Sequence, residues 1–132
     1  MLQIVKLQGI DKKLYPLVAP LVMNPKVLQY NNGYPFKTGE KFIWYIAMDR
    51  HQVLGFIPLE MRKSEHIINN YYAEASKHDE VLDELLNAIL TDETSATTVL
   101  SAVVQTPHQE LFASRGFVTI KTWKLYIKMQ KA

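Results

Sequence analysis

The sequence predicts an α+β fold, in which helices pack on a mixed, mostly antiparallel sheet. Two patterns carry this prediction: a well-formed amphipathic helix over residues 76–90, and a regular alternation of apolar and polar residues over 123–129. The order of the other apolar segments, some strand-like and some helix-like, also supports this prediction. At 132 residues, 48% of them hydrophobic, the chain is long enough for a single domain, residues 1–132, with its own core.

The first forty residues predict a strand followed by broken helical structure. Residues 3–7 are short and β-branched, as in a terminal or edge strand. A helical apolar stripe runs over residues 11–31, but two prolines interrupt its hydrogen bonds. Asn24 before Pro25 predicts a new helix start, with the asparagine as its N-cap. We therefore expect two or three short helices, followed by a turn-rich loop over residues 34–40.

Three strands are predicted next, over residues 41–48, 52–62 and 66–74. The first is apolar on both faces, which is typical of a central strand covered on each side. Pro58 lies within the second strand and has no N–H for a ladder hydrogen bond, so we expect it at a sheet edge or at a bulge. Tyr71 lies within the third, and a strand tyrosine usually keeps its hydroxyl in water.

The last part of the chain predicts two helices and three strands. In the helix over residues 76–90, Ser76 and Asp79 have the spacing of a capping box. A second, short helix begins at Thr106 and ends at Gly116, because glycine favours the backbone conformation that closes a helix. The strands are predicted over residues 97–104, 117–120 and 123–129. In the last of these, Trp123, Leu125, Ile127 and Met129 are predicted to face the core.

Composition excludes several classes of protein. The net charge of +2 is too small for a dedicated nucleic-acid binder. Without cysteine there is no disulfide, no thiolate metal site and no cysteine nucleophile, which suits a reducing, cytoplasmic location. No segment predicts a signal peptide or a membrane span. The four histidines share no ligand spacing, so no metal site is expected.

Two short motifs, with the element order, connect the chain to a known family. Leu111 and Phe112 end the short helix, and Gly116 and Phe117 follow after three residues. Residues 53–57 have the sequence VLGFI within a strand. In this order and spacing the chain resembles the GNAT superfamily of N-acetyltransferases over nearly its whole length. The resemblance implies the acyl-CoA N-acyltransferase fold and transfer of an acetyl group from acetyl-CoA to an amine.

The resemblance also implies where acetyl-CoA would bind. Coenzyme A is expected between the strands over residues 66–74 and 97–104. The backbone of Tyr72, Ala73 and Glu74 would pair with the pantetheine amides as a neighbouring strand would. The backbone N–H at the end of that strand would stabilise the oxyanion.

The phosphate-binding loop departs from the family pattern. The family carries a Gln/Arg-x-x-Gly-x-Gly/Ala loop, whose glycines admit the coenzyme A pyrophosphate to the helix start. The matching residues 74–81 contain no glycine, and Asp79 and Glu80 place negative charge in the first helical turn. Lys77 and His78 are the remaining cationic candidates, and a helix-start histidine such as His78 is otherwise expected to face solvent. The pyrophosphate site is therefore expected to be weakened or absent.

The catalytic positions depart as well. Phe112 lies where many family members have a tyrosine that protonates the departing thiolate, and Gln105 lies where they often have an asparagine. Glu74, Tyr72 and Glu60 are the nearest titratable residues by position, and of these Glu74 and Tyr72 are the predicted catalytic residues. The predicted cofactor-binding residues are Tyr72, Ala73, Glu74, Ser76, Lys77, His78, Gln105 and Phe112.

Two functions therefore follow from the sequence. The first is an N-acetyltransferase that transfers acetyl from acetyl-CoA to a small-molecule or peptide amine. The second is a catalytically inactive module of the same fold that binds a ligand or a protein, which the glycine-free loop and Phe112 favour. Neither involves nucleic acid, a membrane or a metal. The sequence leaves open whether the chain forms a homo-oligomer.

Overall fold

One mixed sheet organises the computed structural model, which describes residues 2–93 and 98–132. Its eight described strands follow the order β1-β2-β3-β4-β6-β8-β7, and the short β5 pairs with β3 beyond the end of β4. Neighbours are antiparallel except β4 and β6, which are parallel. The predicted mixed, mostly antiparallel sheet is confirmed. The strands are β1 (Gln3–Gln8), β2 (Phe42–Asp49), β3 (Gln52–Met61), β4 (Glu65–Ile68), β5 (Tyr72–Ala73), β6 (Val99–Gln105), β7 (Phe117–Thr122) and β8 (Tyr126–Lys131).

Helices cover both faces of this sheet. The long α3 packs its apolar stripe into the main core, as predicted, while α1 covers a second cluster around Trp44 and Phe56 on β2 and β3. The helices are α1 (Leu14–Val22), α2 (Pro25–Tyr30), α3 (His78–Glu93) and α4 (Gln109–Ser114), with 3₁₀ turns over Ala75–Lys77 and Thr106–His108. No helix of the described residues is both long enough and apolar enough to cross a bilayer.

The helix signals in the first part of the chain are confirmed. Asn24 caps α2, and its side chain accepts a hydrogen bond from the backbone N–H of Lys26 at 2.9 Å. After α2 the chain turns through Asn32 and Gly33, both with positive φ, which reverses its direction towards the loop before β2. Both prolines lie within the nine-residue α1, Pro16 in its first turn and Pro20 in its interior.

The predicted single strand over residues 66–74 is wrong, because it divides into β4 and β5. Between the pairs Phe56↔Tyr72 and Leu59↔Ile68, two residues of β3 lie opposite three of the next segment, which is a bulge. Pro58 is one of those two residues, so its missing N–H falls where the ladder is interrupted. It therefore lies at a bulge, one of the two expected positions.

The start of α3 also differs from the prediction. The capping box is wrong: Ser76 is exposed within the 3₁₀ turn that precedes α3, and Glu74 is the residue before that turn. The reason is that the chain turns sharply on leaving β5, so the α-helix itself begins only at His78. The predicted strand start at Thr97 lies outside the described residues, and β6 begins at Val99.

The last strand starts later than predicted. Trp123 and Leu125 are 44% and 53% exposed, because they lie in the turn between β7 and β8, so their predicted burial is wrong. The backbone N–H of Trp123 donates to the carbonyl of Tyr126 at 2.8 Å and closes this turn. Ile127 and Met129 are buried, as the alternation predicts.

Candidate active site

The sheet opens between β5 and β6. The last pair of the parallel ladder is Ile68↔Ala102, and beyond it β5 follows β3 while β6 follows β8. Glu74 donates its backbone N–H to the carbonyl of Leu54 at 2.8 Å, so alternate residues of this segment direct their backbone groups to β3. Ala73 lies between two residues whose backbone groups point to β3. Its own N–H and carbonyl therefore point the other way, towards the opening. This edge can pair with an extended ligand that carries amides.

Gln105 forms part of the opposite wall, at the end of β6. Its backbone N–H donates to the hydroxyl of Tyr71 at 3.1 Å. Its side-chain Nε2 is buried and has no hydrogen-bond partner among the residues that the structure describes. A buried donor without a partner costs about 1–3 kcal/mol.

A cluster of two tyrosines and two histidines lies beside the opening; we call it the Tyr–His cluster, and it consists of Tyr30, Tyr71, His78 and His108. The hydroxyl of Tyr71 lies 2.6 Å from Nδ1 of His108, and the hydroxyl of Tyr30 lies 2.5 Å from Nε2 of His78. The two imidazole rings are 4.6 Å apart between centroids, and Tyr30 stacks on His108 at 5.6 Å. Helix α2, α3, the α4 turn and the β4–β5 bulge thus meet in one place.

Two expectations are wrong at this cluster. The Tyr71 hydroxyl was expected in water, but the residue is fully buried, because the bulge turns its side chain into the core. His78 was expected to face solvent, but its side chain is only 18% exposed, because α2 brings Tyr30 against it.

Burial determines the protonation of this region. It raises the pKa of Tyr71 and of Tyr30 far above the ordinary value, and it raises the pKa of Tyr72 with a smaller contribution from Glu74. Burial, helped by the nearby His78, lowers the pKa of His108 to about 4. Near neutral pH the phenols therefore keep their protons and the imidazole of His108 is uncharged.

The start of α3 offers little positive charge. Lys77 is exposed, and its Nζ lies 3.9 Å from a carboxylate oxygen of Asp49. Asp79 lies in the first turn of α3, and its Oδ1 lies 3.0 Å from Nδ1 of His78. Ser76 is exposed and makes no side-chain hydrogen bond to another described residue.

Solved structures share this architecture along the whole chain. An acyl-CoA N-acyltransferase from Pseudomonas aeruginosa matches with a TM-score of 0.77 and 17% identity, covering 100% of both chains. Escherichia coli ElaA matches with a TM-score of 0.78 and 13% identity, covering 98% of this chain and 99% of its own. The PaiA N-acetyltransferase from Thermoplasma acidophilum, solved with coenzyme A, matches with a TM-score of 0.73 and 13% identity over 99% and 98%.

The chain has the GNAT fold. The resemblance carried by the sequence motifs is thereby confirmed at the level of the fold. At these identities the likeness concerns architecture and not substrate. No protein-family model matches the chain, and a search of curated proteins finds no match.

The GNAT fold brings the predicted site residues to both sides of the opening. Tyr72, Ala73 and Glu74 form its β5 side, with Ser76, Lys77 and His78 at the helix start that follows. Gln105 lies on the other side, at the end of β6, whereas Phe112 on α4 is fully buried in the main core. The eight residues therefore share one region, although Ser76 and Lys77 face solvent.

The two predicted catalytic residues lie at the edge of this region. Tyr72 is half-buried and packs on Phe56 and Tyr30, with ring centroids 5.8 and 5.4 Å away. The backbone N–H of Glu74, predicted as the oxyanion donor, is already paired with Leu54. Because the sheet register fixes that bond, the N–H of Ala73 is the better placed donor.

A cavity of about 790 Å³ opens on the sheet beside the bulge. Glu60 lines it, and its carboxylate accepts a hydrogen bond from Arg62 at 3.1 Å. Aromatic rings and polar side chains surround this carboxylate. They include Tyr34, Lys37, Asn70, Trp123 and Tyr126.

Four residues beside the opening are not among the predicted site residues: Tyr30, Asn31, Tyr71 and His108. One signal was available for His108, which precedes Phe112 by four residues and so shares its side of the helix start. No local pattern marks Asn31 or Tyr30, because their partners are 40 and 48 residues away.

The site fits the pantetheine end of coenzyme A better than it fits the nucleotide end. The Ala73 edge suits the pantetheine arm, which carries amide donors and acceptors. At the nucleotide end, Lys77 and His78 are the groups that would meet phosphate, and both already have partners.

Proposed function

We propose that the chain is an N-acetyltransferase that uses acetyl-CoA and acetylates a small-molecule or peptide amine in the cytoplasm. The observation that carries this proposal is the opening between β5 and β6 in the GNAT sheet, where the backbone N–H and carbonyl of Ala73 point away from β3. These are backbone groups that a pantetheine arm would satisfy and that a closed sheet would have paired.

Binding and orientation are the main contributions of the chain. The Ala73 N–H and carbonyl would pair with the pantetheine amides, and Gln105 remains a proposed cofactor-binding residue at the end of β6. Acetyl-CoA supplies the activated acetyl group. An amine held in the adjacent cavity then needs alignment more than it needs a protein nucleophile.

The proton of the amine would be removed by a residue that lines the cavity or by one at the end of β5. Glu60 lines the cavity, and Glu74 and Tyr72 remain the proposed catalytic residues at the end of β5. Of these, the two carboxylates are the candidate bases by residue type, whereas burial raises the pKa of Tyr72 and keeps its hydroxyl protonated. Tyr72 is therefore assigned to hydrogen-bond donation.

Titration calorimetry with acetyl-CoA and desulfo-coenzyme A tests this proposal. We expect micromolar binding of both ligands, weakened by added salt and by Lys77→Ala, because Lys77 is the exposed cation nearest the helix start. Lys63→Ala, which removes an exposed lysine from the β3–β4 turn, is the matched control. An amine panel assayed for free thiol then measures turnover.

Absence of heat and of thermal stabilisation at millimolar acetyl-CoA would refute the proposal. The second candidate, a binding module without catalysis, is favoured by Phe112, which has no proton to give, and by the glycine-free helix start. Tight binding of acetyl-CoA without turnover on any amine would support that candidate instead.

A further inference from the structure

The cavity beside the bulge has a floor that crosses the sheet. On each of β3, β4, β6 and β8, one residue lines the cavity while its chain neighbour packs into the main core on the opposite face, because side chains alternate along a strand. The cavity residues on these strands are Glu60, Ile67, Val103 and Tyr126. Asn70, in the segment that joins β4 to β5, lines the cavity too. The cavity therefore adjoins the segment that leads to Ala73 and the opening.

Aromatic rings form much of the cavity wall. Tyr34 and Trp123 both line it and are exposed. The ring of Tyr34 meets that of Tyr126 edge to face, with centroids 6.3 Å apart, and the Tyr126 hydroxyl accepts a hydrogen bond from Nδ2 of Asn32 at 2.9 Å. Exposed rings around a concave site are suited to cover a flat apolar group of a ligand.

The charges that line the cavity leave one cation over. Among the described residues they are Lys37, Glu60 and Arg62. The carboxylate of Glu60 is paired with Arg62, whose Nη2 lies 3.1 Å from it. Lys37 is exposed and makes no hydrogen bond or ion pair with another described residue. The lining therefore has a formal charge of +1, and Lys37 is available to an anionic group.

The surroundings of the cavity do not reverse this charge. The next carboxylate on the same face of the sheet is Glu65, which accepts from the hydroxyl of Ser101 at 2.6 Å and lies 3.5 Å from Nζ of Lys128. A further cation, Lys121, lies 5.3 Å from the ring centroid of Trp123. A polycationic amine is attracted by several free carboxylates, and here both carboxylates already have a cation.

We propose that the acceptor is an amine that also bears a carboxylate and an aromatic ring, as an aromatic α-amino acid does; the inference rests on the proposed function and names the substrate class of that same site. Lys37 pairs with the carboxylate, and the rings of the wall cover the aromatic group. The uncharged amine nitrogen bonds to the acetyl carbon and the carbon–sulfur bond breaks. The nitrogen gives up one proton, and coenzyme A leaves as the thiol with one proton on sulfur.

Three amines with the same ring test the substrate class: L-phenylalanine, L-phenylalaninamide and phenethylamine. We expect kcat/KM, expressed per uncharged amine, to be at least tenfold higher for phenylalanine than for the other two, because only phenylalanine has a carboxylate. Phenylalaninamide represents the amino end of a peptide, and spermidine represents a polycation. Equal or faster turnover of phenylalaninamide, phenethylamine or spermidine overturns the inference and leaves the proposed function intact.

Variants of Lys37 test the partner of the carboxylate. Lys37→Met removes the charge and keeps most of the side-chain length, so kcat/KM should fall about fivefold for phenylalanine and less than twofold for phenylalaninamide. Lys37→Arg keeps the cation and should retain at least half of the wild-type value. Lys63→Met, at an exposed lysine that does not line the cavity, is the matched control. Equal losses for both substrates in Lys37→Met would show a loss of cavity shape and overturn the inference.

Binding gives a readout without turnover. Phenylalanine is titrated by calorimetry into the chain saturated with desulfo-coenzyme A and into the free chain, and Lys37→Met should raise its Kd about fivefold. Absence of heat from both forms at millimolar phenylalanine overturns the inference. A chain that binds phenylalanine through Lys37 but binds no acetyl-CoA would overturn the proposed function alone, and the cavity would then hold the same ligand in a protein without transferase activity.

Discussion

In the Tyr–His cluster, the burial of one side chain, that of His108, determines its charge. His108 is half-buried, and its pKa of about 4 lies below the value of about 6.5 that histidine has in an unfolded chain. Between these values the unfolded chain binds a proton that the folded chain does not. The free energy of unfolding must therefore decrease as the pH falls through this window, and the contribution is fully present only above pH 6.5.

We expect the unfolding free energy to decrease by about 1 kcal/mol between pH 7 and pH 5 because of His108, after allowance for its partial exposure. Urea denaturation at the two pH values measures this, and His108→Gln should lose most of the pH dependence. His51→Gln, at an exposed histidine, should behave as the wild type. Equal pH dependence in His108→Gln and the wild type would contradict the assignment.

Among the elements, α2 has more influence on the site than its six residues suggest. It ends with Tyr30 against His78, and the next residue, Asn31, pairs with both backbone groups of Tyr71. Asn31 is 1% exposed, so these bonds replace a strand partner at the point where β4 stops. The bulge that separates β4 from β5 is stabilised by a helix end and not by the sheet.

Asn31→Ala should lower the unfolding free energy by about 2–3 kcal/mol, because it leaves the buried carbonyl and N–H of Tyr71 without their partner. Asn70→Ala is the control: its side chain also bonds a backbone carbonyl, that of Pro35 at 2.8 Å, but at the surface, and should cost less than 1 kcal/mol. Urea denaturation of both variants gives the comparison. Similar losses in the two would show that the α2 contact does not support the bulge.

Local patterns explain which elements the sequence could predict. The apolar stripe of α3, the Asn24 cap and the Gly116 stop depend on neighbours within one or two turns, and all three are confirmed. The division of residues 66–74 depends on Asn31 and Pro58, which meet that segment only in the folded sheet. The apolar and polar pattern within residues 66–74 therefore does not predict where the strand divides.

The same distinction applies to the candidate site. The residues on β5, on β6 and at the start of α3 could be predicted from the family motifs, because each motif is a short continuous stretch of sequence. Tyr71 is predicted only as a strand tyrosine with its hydroxyl in water, and His108 is given no role, because their contact joins residues 37 apart. The VLGFI motif has a physical basis in the structure: a Cβ on Gly55 would lie 2.5 Å from the carbonyl oxygen of Tyr72, so the close pairing of β3 with β5 requires glycine there.

For the whole molecule, the sheet has a well-covered middle and an open end. β2 and β3 are paired on both sides and lie under helices on both faces. β7 is the last strand, and five of its six residues are exposed, including Val118 and Ile120. Protection of the backbone should therefore decrease across the sheet from β3 to β7.

Hydrogen exchange followed by NMR should find the slowest amides in β2 and β3 and fast exchange at the outward-facing amides of β7. The inward-facing amides of β7, bonded to β8, provide the internal comparison. Slow exchange along the outer edge of β7 at all protein concentrations would contradict the exposed edge seen here.

The two tryptophans lie in opposite environments. Trp44 is 2% exposed in the core, whereas Trp123 is 44% exposed and lines the cavity beside the bulge. Their emission therefore separates: Trp44 should fluoresce at short wavelength and resist acrylamide, while Trp123 should fluoresce at longer wavelength and be quenched. With no other tryptophan in the chain, a Trp44→Phe variant would turn intrinsic fluorescence into a direct optical signal of cavity occupancy, without any added label.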